Sequence, residues 1–297
     1  MREADEVEFL IGADGGGSGT RALLASRDGV VVGRGKAGPS ALGQGIDAAW
    51  VQLRLAIQAA FADAGMALPA LQQCALGAGL SGAGTQAWRN EFLSRNIGFA
   101  ELVLETDCFA MLLGAHGGRP GAIVAAGTGS VGEALRADGT RRMVGGWGFP
   151  LGDEGSGAWL GQRAVQLAQS AIDGRAPAGD LVRQVWAICG ADRPSLQAWS
   201  RNSGQFAFAQ LAPGVFACAE TDAQAARLLD DAAAALNSLA RALDPGGELP
   251  LTVCGSIGQR LVGRLAPEIR DRCVAASGDA THGALTLIQR FRETAAA

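Results

Sequence analysis

The glycine loop Asp14-Gly15-Gly16-Gly17-Ser18-Gly19-Thr20-Arg21 restricts the possible folds of this chain more than any other stretch. It follows an apolar run, residues 7–13, that is typical of a buried strand. A second apolar run comes next, and Asp28-Gly29 then favours a two-residue hairpin turn. The loop is therefore predicted to join strand to strand. A Walker loop, with its lysine, and a dinucleotide fingerprint both lead from a strand into a helix instead.

The composition of this loop is typical of a phosphate site. Three consecutive glycines let backbone N–H groups approach an anion without obstruction by a Cβ atom. Ser18 and Thr20 add hydroxyl groups, and the Asp14 carboxylate is a candidate to hold Mg²⁺ through water. A flexible turn with incidental glycines is the alternative interpretation.

A similar loop recurs after the apolar run 122–126, where the chain reads Gly127-Thr128-Gly129-Ser130-Val131-Gly132. These residues match Gly-x-Gly-x-x-Gly, but residues 133–139 alternate and turn like a hairpin rather than a helix. The stretch is predicted to be a second strand–loop–strand phosphate clamp. Two such loops, more than a hundred residues apart, indicate a duplicated domain that holds one polyphosphate from both sides.

The glycine-rich stretch 145–157 carries Trp147 and two acids, Asp153 and Glu154. An apolar surface with nearby carboxylates is what a sugar site requires, because carboxylates accept hydrogen bonds from sugar hydroxyls. The alternative is that the two acids only cap the helix predicted to begin near Ser156.

Two predicted strand ends carry further candidates. Asp107 lies at the carboxyl end of the strand 101–106, where α/β sheets place ligand-binding side chains, although the same position suits a helix N-cap. The strand 249–253 leads into a turn containing Gly255 and Ser256. A glycine turn there would let an adenine or a ribose lie against the backbone.

Composition restricts the partners and the cellular compartment. The net charge is −4 with no evident basic face, which argues against nucleic acid, and no apolar run reaches the length of a membrane span. The charged first residues do not resemble a signal peptide. Six cysteines without a Cys-x-x-Cys pair favour free thiols in a cytoplasmic protein over a zinc or iron–sulfur site.

The motifs described above, taken in their order along the chain, resemble those of the sugar kinase/actin/Hsp70 ATPase superfamily. More narrowly, they resemble those of the N-acetylglucosamine kinases and BadF/BadG-type ATPases. The two loops, the Gly255-Ser256 turn, and Asp279 with Gly283-Ala284 in the last helix carry the resemblance. It implies an α/β fold of two actin-like (ribonuclease H-like) domains with ATP in an interdomain cleft. The first domain would span residues 1–117 and 283–297, and the second residues 118–282.

The resemblance also implies roles for individual residues. The aspartate that matches Asp107 is the base toward the sugar 6-hydroxyl in that family, and the positions that match Ser18 and Thr128 contact ATP. The positions that hold the sugar match Gly146, Trp147, Gly148 and Asp153. Ser40 stands roughly where the mammalian kinases have an asparagine that touches the sugar, so the resemblance leaves open which amino sugar is bound.

The prediction is therefore an ATP- and Mg²⁺-dependent kinase that phosphorylates the 6-hydroxyl of N-acetylglucosamine, with glucosamine as the alternative substrate. A small-molecule sugar is its expected partner, and a homodimer is possible. A rival from another class is a BadF-type ATPase that activates a partner dehydratase or reductase through an iron–sulfur cluster held by cysteines between subunits. A sugar-sensing regulator without turnover is disfavoured because Asp107 is present.

Overall fold

A computed structural model describes residues 7–296. The strands are β1 (Phe9–Gly15), β2 (Thr20–Ser26), β3 (Val31–Ala37), β4 (Cys74–Leu80), β5 (Glu101–Glu105), β6 (Gly121–Ala126), β7 (Ser130–Leu135), β8 (Arg141–Gly145) and β9 (Leu251–Cys254). The helices are α1 (Ile46–Asp63), α2 (Gln86–Ser94), α3 (Asp107–His116), α4 (Gly157–Ile172), α5 (Asp180–Cys189), α6 (Arg193–Arg201), α7 (Gln205–Ala209), α8 (Ala212–Cys218), α9 (Ala223–Leu243), α10 (Ser256–Leu261), α11 (Pro267–Arg270) and α12 (Ala280–Ala296). No helix within residues 7–296 is long and apolar enough to span a bilayer.

The chain divides into two compact units. Unit 1 comprises the residues up to Pro120 and those from Ala275 onward, and unit 2 comprises Gly121–Val274. The division expected from the sequence left residues 275–282 in the second domain. In the structure residues 275–279 lead into α12, which begins at Ala280, and Thr281 of this helix lies directly against Gly12 of β1 in unit 1.

Unit 1 contains a five-stranded sheet in the order β3-β2-β1-β4-β5. β1 pairs antiparallel with β2 and parallel with β4, so the first glycine loop joins strand to strand as predicted. Successive β1 residues face opposite sides of the sheet: Ile11 joins the core beneath α1, whereas Leu10 packs with Leu285 of α12. Helices on both faces thus bury the central strand.

Helix α12 lies very close to this sheet and to α3, because glycines face it. A Cβ atom on Gly12 would lie 2.3 Å from the carbonyl oxygen of Thr281, and one on Gly77 would lie 2.0 Å from that of Ala284. On α12 itself, a Cβ atom on Gly283 would lie 1.7 Å from the carbonyl oxygen of Ala110 in α3. Any side chain at these glycines would push the helix off the sheet.

Unit 2 contains a four-stranded sheet in the order β8-β7-β6-β9, with α4 and α9 contributing to its core. Its hairpins and the parallel β6–β9 pair repeat the arrangement of β3-β2-β1-β4. The apolar stretch Cys273 to Ala276 favours a short strand by its sequence, but in the structure Cys273 makes an isolated parallel bridge with Leu251. The Cys273 N–H donates to the carbonyl of Arg270 at the end of α11, whereas the Val274 N–H donates to the carbonyl of Leu251.

Candidate active site

The first glycine loop borders a cavity of about 440 Å³ in unit 1. Asp14 at the end of β1, Ser18 of the loop, and Asp107 at the start of α3 line it together. Parallel strands β1 and β4 end at this edge of the sheet, and β5, parallel to β4, leads directly to Asp107. The topology therefore joins residues that lie more than eighty positions apart in the chain.

Asp14 is the acidic group closest to the first glycine loop in sequence, and it is held by Arg21. Nη2 of Arg21 lies 2.5 Å and Nε 3.2 Å from the same oxygen, Oδ2 of Asp14. Burial raises the pKa of Asp14 and outweighs the hydrogen bond and charge of Arg21, which lower it. The carboxylate is thus partly withdrawn from water but oriented by a cation.

Arg21 also reaches Asp279, whose carboxylate lies 3.3 Å from Nη1. Burial raises the pKa of Asp279, but hydrogen bonds from Thr281 and His282, together with the charge of Arg21, reverse the effect and lower the pKa to about 2. Asp279 Oδ1 accepts from the backbone N–H groups of Thr281 and His282, so it also caps the first turn of α12.

Thr20 and Ser40, expected to contact ATP and sugar respectively, are each only 1% exposed. The Thr20 hydroxyl donates to the carbonyl of Gly38 at 2.6 Å and lies 2.7 Å from Ser40 Oγ. The Ser40 N–H donates to the carbonyl of Gly16, and a Cβ atom on Gly15 would lie 1.9 Å from Ser40 Oγ. Both hydroxyls therefore tie the glycine loop to the segment 38–40, and Thr20 also lines the cavity.

Asp107 is the first residue of α3, and the cap of that helix is its neighbour. The Thr106 side chain accepts a hydrogen bond of 3.1 Å from the backbone N–H of Phe109. Asp107 Oδ1 accepts from the N–H of Cys108 at 3.0 Å, and the residue is half-buried at the cavity. Because Thr106 already serves as N-cap, capping does not account for Asp107.

The second glycine loop is held by the N-terminus of α4. The N–H groups of Gly157 and Ala158 donate to the carbonyls of Gly127 and Thr128, at 2.8 and 3.1 Å. The N–H of Gly127 donates to the carbonyl of Gly129 at 2.9 Å. Apart from Gly127 and its chain neighbours, no atom of residues 7–296 lies within 4 Å of the position that a Cβ atom of Gly127 would occupy, so the loop is open on this side.

Asp153 lies behind this second loop and is 3% exposed. Oδ1 accepts from the Ser130 N–H at 3.1 Å, and Oδ2 accepts from Gln205 Nε2 at 2.7 Å. The Ser130 hydroxyl donates to the carbonyl of Glu154. The alternative capping role is filled by Ser156, whose side chain accepts from the N–H of Trp159.

The segment between β8 and Asp153 presents Trp147 to solvent, with 79% of the residue exposed. Gly146 and Gly148, which flank it, have φ angles of 71° and 75°. Only glycine adopts such angles readily, so these residues allow the chain to turn just before and just after Trp147. The expected sugar loop is therefore an exposed turn that carries a large aromatic side chain.

The Gly255 turn lies beside the second loop in unit 2. Its φ is 81°, and a Cβ atom there would lie 2.3 Å from the carbonyl oxygen of Ala126, the last residue of β6. Ser256 begins α10 immediately afterwards. The expected adenosine turn and Gly127 thus follow two neighbouring, parallel strands.

The six cysteines are free thiols, and Cys74, Cys108, Cys189 and Cys218 are buried. Burial raises the pKa of Cys74, Cys189 and Cys254 to about 11. In the part of the chain that the structure describes, no three His, Cys, Asp or Glu side chains form a group that could hold a metal ion. Mg²⁺ prefers oxygen ligands and keeps several of its waters, so the Asp14 carboxylate fits this ion and would act through its water shell.

Two residues were missed by the sequence interpretation. Lys36 lines the first cavity and is paired in register with Arg21, because β3 extends to Ala37; continuing the hairpin register from the Asp28-Gly29 turn would have placed it there. Gln205 contacts Asp153 from α7, in a region from which no chemistry was inferred. The two residues are separated by 52 positions, and no local pattern connects them.

Two α/β units, each with a glycine loop between its first two strands, define a two-domain actin-like protein, and the predicted fold class is confirmed. The family description BadF/BadG/BcrA/BcrD ATPase matches residues 11–260, and the chain belongs to that family. Membership supports the expected use of ATP.

Relatives extend this result. The chain is 33% identical to a Vibrio cholerae protein named glucosamine kinase GspK, over 94% of this chain and 95% of that protein. A crystal structure of a Chromobacterium violaceum protein, provisionally named N-acetylglucosamine kinase, superimposes with a TM-score of 0.92 at 48% identity, covering 96% and 100% of the two chains. A Streptomyces griseus ROK-family glucokinase shares the fold at 16% identity, with a TM-score of 0.55 and coverage of 95% and 99%.

Proposed function

We propose that this protein is an ATP-dependent amino-sugar kinase that transfers the γ-phosphoryl group to the 6-hydroxyl of N-acetylglucosamine. The observation that carries the proposal is the cavity in unit 1, which Asp14, Ser18 and Asp107 line together. A phosphate loop and a carboxylate base in one cavity are the parts that phosphoryl transfer to an alcohol requires. The names of the Vibrio and Chromobacterium proteins point to the same class of reaction.

In unit 1, the segment Gly15 to Gly17 would lie against the phosphates, with the Gly17 N–H and the Ser18 hydroxyl as donors, because the Gly16 N–H already donates to the carbonyl of Gly19. Bound Mg²⁺ would supply charge neutralisation of the phosphates during transfer. Both hydrogen bonds from Arg21 reach Oδ2 of Asp14, so Oδ1 is the oxygen best placed for water of the metal shell. In unit 2, the residues proposed to bind the nucleotide are Gly127, Thr128, Gly129, Ser130, Gly255 and Ser256.

Asp107 would act as the general base. Its carboxylate takes the proton of the sugar 6-hydroxyl as that oxygen forms its bond to phosphorus and the bond to the ADP oxygen breaks. Half-burial beside the phosphate loop limits competing water at this position.

The sugar would be held by Gly146, Trp147 and Gly148, with the indole against an apolar sugar face. Asp153 would accept sugar hydroxyls only while sharing its oxygens with Ser130 and Gln205. Ser40, with its buried hydroxyl, would act on sugar binding by supporting the first loop.

A coupled ADP-release assay across N-acetylglucosamine, glucosamine, N-acetylmannosamine, glucose and buffer tests the proposal. We expect turnover to depend on an amino sugar, and phosphorus-coupled NMR of the product to place the phosphate on O6. ATP hydrolysis that ignores every sugar, or a product phosphorylated at another oxygen, would contradict it.

Glucosamine is the second candidate substrate, because the Vibrio relative that this chain matches over most of its length is named a glucosamine kinase. The ratio of kcat/KM for the two amino sugars decides between them. The dehydratase-activator alternative predicts a brown, oxygen-sensitive protein, which an anaerobic absorption spectrum would reveal.

A further inference from the structure

We infer that Gln205 is a positioning residue that holds Asp153, and through Asp153 the second glycine loop, in place. Three segments of unit 2 meet at the Asp153 carboxylate: the loop at Ser130, the chain before α4, and α7. Oδ1 of Asp153 accepts from the Ser130 N–H at 3.1 Å, and Oδ2 accepts from Gln205 Nε2 at 2.7 Å. Each oxygen thus serves a different segment.

Close packing around the Asp153 carboxylate leaves little room for other positions of the side chains at 153 and 205. A Cβ atom on Gly129 would lie 2.7 Å from Oδ1 of Asp153 and 3.0 Å from Nε2 of Gln205, so both side chains pack closely against the loop at Gly129. Asp153 itself has a φ of 64°, an angle that few residues other than glycine tolerate. A carboxylate that is 3% exposed depends on its protein donors, because little water can replace them.

The hydrogen bond from Gln205 also stabilises the charged form of the Asp153 carboxylate. Burial raises the pKa of Asp153, the hydrogen bonds from Ser130 and Gln205 lower it, and the neighbouring charge of Glu154 raises it further. Gln205 supplies an uncharged N–H donor to Oδ2, so the carboxylate is satisfied without a neutralising cation beside the loop. Without that donor, Oδ2 would be buried and unpaired, which favours rotation of the carboxylate away from the Ser130 N–H and toward water.

The consequence for nucleotide binding rests on the proposed function, in which Gly127 to Ser130 contact ATP. The positioning itself does not. Its direct readout is amide hydrogen exchange at Ser130, since protection of this N–H reports its bond to Asp153 whether or not the protein phosphorylates a sugar.

The test compares Gln205→Leu and Gln205→Glu with the same changes at Gln210, an exposed residue that immediately follows α7. Gln205→Glu places a second carboxylate against Asp153, whereas Gln205→Leu only removes the donor. We expect exchange at Ser130 to rise at least about tenfold in both Gln205 variants, and the affinity for a non-hydrolysable ATP analogue to fall at least about fivefold, with little change in the Gln210 variants.

A polarity swap provides the rescue. In the double variant Gln205→Glu with Asp153→Asn, the new amide at position 153 can donate to the new carboxylate at position 205, while the amide's carbonyl oxygen still accepts from Ser130. We expect Ser130 protection and analogue affinity to return toward the wild-type values, which a general loss of stability would not produce.

The outcomes separate the two proposals. Unchanged Ser130 exchange in both Gln205 variants would overturn the positioning role, even in an active amino-sugar kinase. Increased exchange with rescue by the double variant supports it, even if the wild-type protein phosphorylates no amino sugar.

Discussion

Arg21 Nη2 donates a hydrogen bond of 2.5 Å to Asp14 Oδ2 across the β1–β2 hairpin, where the two residues are paired in register. The same guanidinium reaches Asp279 at the start of α12. The carboxylate nearest the first glycine loop is therefore fixed by strand pairing on one side and linked to the last helix on the other.

The first prediction concerns the metal. Asp14→Ala should depress ATP turnover more at low than at high Mg²⁺, because the carboxylate would organise the hydrated ion rather than the sugar. Initial rates over a Mg²⁺ titration at saturating sugar measure the effect. A rise in the sugar KM alone would contradict the metal assignment and indicate that Asp14 acts in sugar binding.

The second prediction concerns the base. Asp107→Asn should retain sugar binding but lower kcat by about 10²–10⁴, the usual contribution of a general base. Thr106→Ala is the matched variant: loss of the N-cap should cost about 0.5–2 kcal/mol of stability and lower the Tm instead. Near-normal turnover by Asp107→Asn would remove the base assignment.

The third prediction concerns the exposed aromatic loop. Trp147→Ala should raise the sugar KM several-fold and leave the Tm and the ATP KM almost unchanged. The side chain is mostly exposed, so its removal takes away little packing in the free protein. Leu151→Ala is the control in the same segment, because Leu151 is 85% exposed and comparably apolar. Equal effects of the two changes on sugar KM would argue against a specific indole contact.

The fourth prediction concerns Lys36. No ion pair joins its ammonium to a carboxylate among residues 7–296, although it lines the cavity with Asp107. A cation there would favour the phosphate oxygens, so Lys36→Met should lower kcat/KM for ATP at least about fivefold, which corresponds to roughly 1 kcal/mol. Arg34→Met, two residues earlier on β3 and outside the cavity lining, should leave it unchanged.

The fifth prediction uses the low pKa of Asp279. A carboxyl whose pKa is about 2 in the folded protein stabilises it above the ordinary aspartate pKa, and the contribution disappears as the pH falls through the folded value. Asp279→Asn should therefore lower the Tm by a few degrees at pH 7, and the difference from wild type should close between about pH 4 and 2. A difference that is constant with pH would show that the charge is irrelevant.

The local parts of this fold could be predicted from sequence, and the reasons are physical. The first glycine loop joins β1 to β2, which are each seven residues long, and the Asp28-Gly29 turn between β2 and β3 specifies a hairpin without help from distant residues. The register of the β1–β2 pair brings Arg21 opposite Asp14. Family membership and fold class followed from the order of such local motifs.

Side-chain use could not be predicted in the same way. A serine or threonine hydroxyl beside a glycine loop can face a ligand or the loop itself, and only the return of the chain at Gly38 shows that Thr20 and Ser40 bond to each other. Likewise, Asp153 reads as a free carboxylate in sequence, but its partner Gln205 comes from a separate helix.

Helix α12 has a consequence for synthesis on the ribosome. Gly12 and Gly77 are shaped to receive a helix that emerges only after all of unit 2. Unit 2, an uninterrupted stretch, can complete its core while unit 1 still lacks one of its covering layers. Until α12 is synthesised, the apolar side chain of Leu10 lacks its partners on that helix and is accessible to chaperones or to aggregation. The order of translation therefore makes unit 1 the later of the two units to complete its core.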